Sequence, residues 1–155
     1  MKIIFRLIII LSILLLSNCN GKKEKAIILD STSLEEQMIE AYNKGVKALD
    51  EGDVLFAAKN FNAAENLYPQ SIWAPRSILM ASYSFYSQDY YGDAISELSR
   101  FLKNYPINEN TAYAYFLLAT CYYELIVDEK KDLSPLLKSK ENFQIILDKY
   151  PNTDF

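Results

Sequence analysis

The dipeptide Tyr-Pro punctuates this chain three times, at Tyr68-Pro69, Tyr105-Pro106 and Tyr150-Pro151. The first two prolines lie 37 residues apart and the next two 45. Proline pushes the residue before it out of the α region, so each pair marks the end of a helix. A stop recurring at this spacing points to stacked helical hairpins, where each unit buries its apolar face only against its neighbours. Half of the 155 residues are apolar, with only 4 Gly and 5 Pro. That balance favours helices over a turn-rich β fold and excludes global disorder. The expected fold class is all-α, a solenoid of about three hairpins, an architecture that serves binding more often than catalysis.

Residues 1–18 stand apart. Lys2 and Arg6 precede an apolar stretch from Leu7 to Leu16 broken only by Ser12, which reads as a secretory leader. A membrane-spanning helix needs about 20 apolar residues, and this stretch is shorter. Its end, Leu16-Ser17-Asn18-Cys19, resembles the lipobox of bacterial lipoproteins, although Asn18 departs from the usual small residue. The resemblance implies that Cys19 becomes the lipidated first residue of the mature chain, with no other cofactor expected. Asn20 after it, rather than Asp, implies sorting to the outer membrane on its periplasmic side. Acyl chains on Cys19 would hold the protein to a bilayer without a spanning helix. The alternative is an ordinary leader with an incidental cysteine. Residues 19–32 then form a polar tether. Cys121 lies in an apolar run and reads as a small buried hydrophobe. Once the leader is removed, 14 basic residues face 20 acidic ones, a net charge of −6. This argues against phosphate-rich partners such as nucleic acid.

The domain is expected over 33–155, with repeats at about 34–69, 74–106 and 109–151. Ser33-Leu34-Glu35-Glu36 matches a capping box and predicts the first helix start at Ser33. Gly52 is expected to stop that helix and Asp53 to cap the next. Superposing the repeats places Gly45, Ser82 and Ala119 at one small-residue position and Ala57 and Ala94 at another. Apolar residues, mostly large, fill the places beside them: Phe61 and Ala64, Leu98 and Phe101, Phe143 and Ile146. Ser139 takes the alanine's place in the third repeat. That repeat carries an eight-residue insertion around Asp128–Asp132, after which Ser134 is expected as N-cap with Pro135 in the first turn. No polar capping helix follows the third repeat, so the sequence is expected to be the N-terminal part of a longer protein.

This pattern of small, aromatic and proline positions resembles the tetratricopeptide repeat (TPR), stretched by three residues from its usual 34. Combined with the leader and tether, it resembles the BamD family, lipoproteins of the outer-membrane β-barrel assembly (BAM) machinery. The likeness rests on AAKNFNAAENLYP (57–69), ASYSFYSQDYYGDAI (81–95), RFLKNYP (100–106), AYFLLA (114–119) and KYPNTDF (149–155). The resemblance implies a scaffold and receptor in outer-membrane protein insertion. Its partners would be BamA, the other BAM subunits and unfolded barrel precursors, whose C-terminal signal would meet these N-terminal repeats. A different periplasmic TPR lipoprotein, in cell-wall coordination or as a secretion pilotin, is the competing reading.

Catalysis is not expected. The chain has no His, which removes the commonest general base and metal ligand, and it carries neither a Gly-rich phosphate loop nor a serine elbow. In a TPR stack the first helix of each hairpin lines the concave face. The residues placed there are Ile39, Tyr42, Val46 and Leu49; Arg76, Leu79, Tyr83 and Tyr86; and Tyr113, Phe116, Thr120 and Tyr123. Six of these are aromatic and only Arg76 is charged. The set Tyr42, Arg76, Leu79, Tyr83, Tyr86, Tyr113, Phe116 and Tyr123 is the candidate peptide-binding surface, with Arg76 facing a terminal carboxylate.

Overall fold

A computed structural model describes residues 31–128 and 132–154. The leader, Cys19 and nearly all of the tether lie outside the described residues. Six helices fill the described chain: α1 Ser31–Asp50, α2 Val54–Leu67, α3 Ala74–Tyr86, α4 Tyr91–Asn104, α5 Thr111–Glu124 and α6 Ser134–Lys149. Each packs on its neighbour in sequence, which is the hairpin order the Tyr-Pro stops predict. None of them is long and apolar enough to cross a membrane.

The hairpin corners follow from single residues. Gly52 takes φ +81°, a conformation that costs glycine little, and the Asp53 carboxylate accepts the Phe56 amide at 3.1 Å to cap α2. The two inter-repeat corners reuse one device 37 residues apart. Ser71 Oγ accepts the amides of Trp73 and Ala74, each at 3.1 Å, and Asn108 Oδ1 accepts the Asn110 amide at 2.9 Å. Both loops are thereby pinned at the point where the next first helix begins.

Two start signals fall elsewhere than expected. The first helix begins at Ser31, so Ser33 lies inside it and its hydroxyl accepts from the Gln37 side chain at 3.2 Å instead of capping. Ser134 is the first residue of α6 rather than its cap. Its amide is taken by the Asp132 carboxylate at 2.8 Å, and Pro135 sits in the first turn where no donor is lost.

Between the helices the small positions do what their size allows. A Cβ on Gly45 would lie 2.8 Å from the Phe61 ring, so only glycine lets α1 and α2 approach this closely. Ala57, Ala94, Ser82 and Ala119 are fully buried at the equivalent seams. Buried Ser77, Ser82 and Ser84 spend their hydroxyls on carbonyls one turn back, at 2.9, 2.8 and 2.7 Å. No buried side-chain polar atom among the described residues lacks a partner. Cys121 is buried, and burial pushes its thiol up to about 12, so it packs as a small hydrophobe. In the third repeat Ser139 and Ile146 are buried, but Phe143 remains 37% exposed where Phe61 and Leu98 are fully covered. The earlier two have packed helices on either side; α6 packs chiefly on α5.

A polar cluster ties the second helices of the first two repeats together. The Arg100 guanidinium pairs with Glu65 and, at 2.6 Å, with Glu97. It also donates to Asn62 Oδ1 at 2.8 Å, while Asn62 Nδ2 donates to Glu97 at 2.8 Å. The Tyr105 hydroxyl donates to the other Glu65 oxygen at 3.2 Å. Burial, then the neighbouring Glu65 carboxylate, pushes that phenol up to about 12. Glu65 is 3% exposed, so its charge depends on these donors.

Candidate functional site

Two hollows lie one repeat apart on the side of the first helices. The smaller, about 120 Å³, is lined by Met38, Ile39, Tyr42, Asn43 and Trp73. The larger, about 470 Å³, is lined by Arg76, Leu79, Met80, Tyr83, Glu109, Asn110 and Tyr113. Adding the 37-residue period to Ile39, Tyr42, Asn43 and Trp73 gives Arg76, Leu79, Met80 and Asn110. The two are therefore the same structural place in successive repeats, apolar in the first and charged in the second. Between them lies a cleft of about 210 Å³ bounded by Ile72, Trp73, Pro75, Arg76, Asn108, Glu109 and Asn110.

Arg76 is exposed at the junction and borders both the larger hollow and the cleft. Its guanidinium carbon sits 5.3 Å from the Trp73 ring centroid and 6.0 Å from that of Tyr42. Both rings lie within cation–π range of the guanidinium. Tyr42 in turn meets Trp73 at 5.5 Å and Phe61 at 5.2 Å, both edge-on, so the aromatic stack runs from the hydrophobic core to the arginine. Among the described residues no carboxylate forms an ion pair with Arg76.

Of the sequence-predicted surface, Arg76, Leu79, Tyr83 and Tyr113 come together around the larger hollow. Tyr83 is the exposed wall, 41% accessible; Tyr113 is half-buried. Burial raises the Tyr113 phenol, and the nearby Tyr83 and Tyr86 hydroxyls raise it further. The other four are not gathered there. Tyr42 is buried, a core residue that lines only the smaller hollow. Tyr86 packs on Tyr91 at 6.0 Å, and Phe116 on Phe143 at 6.3 Å in the α5–α6 seam. Tyr123 is 60% exposed but borders none of the three cavities. Residues that the predicted set misses include Met80 on α3 and, in the inter-repeat corners, Trp73, Glu109 and Asn110; the 37-residue pairing of Trp73 with Asn110 is a signal that reveals the corners.

Chemically, the hollow offers one cation, one carboxylate, aromatic walls and the Asn110 amide. The described residues contain no group of three or more His, Cys, Asp or Glu placed to hold a metal ion.

Comparison with known proteins places the chain in a family. Residues 34–155 match the model of the YfiO family, described as outer membrane lipoprotein. An outer membrane protein assembly factor BamD from Caulobacter vibrioides is 34% identical over 140 residues, covering 90% of this chain and 45% of that protein. Its counterpart from Rickettsia prowazekii is 33% identical over 142 residues, covering 92% and 54%. A third BamD, from Xylella fastidiosa, is 26% identical over 124 residues, covering 74% and 42%. The chain thus spans about half the length of the curated relatives it matches. With its six-helix hairpin order and a family match reaching across all three repeats, the chain belongs to the YfiO family of outer-membrane lipoproteins, the family of the BamD assembly factors.

Proposed function

We propose that this protein is a non-catalytic receptor and scaffold in outer-membrane β-barrel assembly, whose N-terminal repeats take the extended C-terminal ends of unfolded barrel precursors. A lipid on Cys19 moors it to the periplasmic face of the outer membrane, with residues 19–32 as tether. It works with BamA and the other BAM subunits. The observation that carries the reading is the larger hollow: an Arg76 with no ion pair among the described residues, beside the Trp73 ring and next to Tyr83 and Tyr113. An arginine fork suits a terminal carboxylate, and the rings suit the aromatic side chains of a barrel strand. The absence of His from the sequence and the assembly-factor relatives support a role without catalysis.

Titrating a peptide that copies a barrel C-terminus, with a free carboxylate, onto the folded protein tests this. Arg76→Glu is expected to weaken binding by about tenfold or more, and Tyr83→Ala by about three- to tenfold. Amidating the peptide terminus should reproduce the Arg76 loss. Unchanged affinity in both variants rejects the hollow as the receptor site.

A further inference from the structure

The wall shared by the larger hollow and the adjoining cleft consists of Arg76, Glu109 and Asn110. It therefore carries one positive and one negative group, and among the described residues neither is spent in an ion pair. Glu109 is exposed, in the corner between α4 and α5. That corner is held on both sides of it. Asn108 Oδ1 accepts from the Asn110 amide at 2.9 Å and from its side chain at 3.2 Å, and the Asn108 carbonyl accepts the Thr111 hydroxyl at 2.6 Å. One repeat earlier the same place is Ile72, 88% exposed and uncharged. Ile72 borders the cleft but not the larger hollow, so of the two corners only that of Glu109 brings a carboxylate to the hollow.

We infer that Glu109 is a specificity-determining residue of this hollow: it selects chain ends with a basic or neutral residue beside the terminal carboxylate and rejects those with an acidic one. This rests on the receptor reading above. A ligand crossing from the hollow to the cleft must pass the Arg76–Glu109 wall. With its terminal carboxylate on Arg76, its neighbouring side chain comes within reach of Glu109. A lysine or arginine there gains an opposite charge. An aspartate or glutamate meets a like charge, which costs specificity rather than fold.

The test uses three peptides identical except for the residue before the last, Lys, Gln or Glu, titrated onto the wild-type protein and onto Glu109→Gln. Wild type should bind the Lys peptide about three- to tenfold more tightly than the Glu peptide, the size expected of exposed charge pairs. The gap should narrow as salt shortens the screening length. In Glu109→Gln, Arg76 is left as the one charged residue among those lining the hollow and the cleft, so the order should level or reverse. Equal binding of the three peptides to wild type overturns this inference and leaves the receptor reading standing, as does a wild-type order that survives in Glu109→Gln. Failure of all three to bind wild type removes both. Glu109 is exposed and makes no core contact, so loss of fold should not blur the comparison.

Discussion

Replacing Arg100 with alanine is expected to lower the unfolding free energy by about 3 kcal/mol, read from urea denaturation of the folded domain. Glu65 is 3% exposed, and its carboxylate takes its donors from Arg100 and Tyr105. Removing the guanidinium leaves a desolvated charge with one neutral donor. Arg100 itself is about a third exposed, its side chain 34% accessible, so water will relieve part of the penalty. That places the loss at the lower end of the roughly 3–5 kcal/mol typical of broken buried pairs. Replacing both partners, Glu65→Leu with Arg100→Met, should restore most of the stability, because the pair's attraction roughly offsets its desolvation cost. If Arg100→Ala were neutral, the cluster would not be what joins the second helices of repeats one and two.

Phe61→Ala is expected to cost about 3–5 kcal/mol by the same measurement. The ring is fully buried, lies against Gly45 and meets Tyr42 edge-on at 5.2 Å. The cavity left behind has little to collapse into it, since Gly45 offers no side chain. The effect should reach the hollow as well. Tyr42 packs on Trp73, and both rings carry Arg76, so loosening Tyr42 lets the guanidinium drift. At a temperature where the variant is still folded, peptide affinity should fall severalfold although Phe61 touches none of the ligand's path. A loss of stability without loss of affinity would show that Trp73 alone orients the arginine.

The hairpins were legible because their signals are local. Tyr-Pro stops, the left-handed glycine at Gly52 and the Asp53 cap each act within a few residues. The register of small positions was legible too, because a 37-residue period repeats the same packing problem. What escaped depends on contacts distant in sequence. Glu65 and Arg100, 35 residues apart, look like ordinary surface charges until α2 and α4 are side by side. Tyr42 occupies a concave-face position by counting, yet Trp73 and Phe61 close over it. Ser33 matches a capping box, but a helix can start a few residues before a plausible cap. The corners supplied Trp73, Glu109 and Asn110, which reasoning confined to helix positions passes over.

The larger hollow, between α3 and α5, is the proposed receptor for an extended chain end. Its most direct test is backbone-amide and aromatic NMR of the isotope-labelled protein, titrated with a carboxylate-ended peptide. Shift changes and intermolecular contacts are expected to gather on Arg76, Tyr83, Glu109 and Tyr113. Contacts gathered instead on the exposed face of α6, or on the Glu65–Arg100 side of the stack, would contradict it.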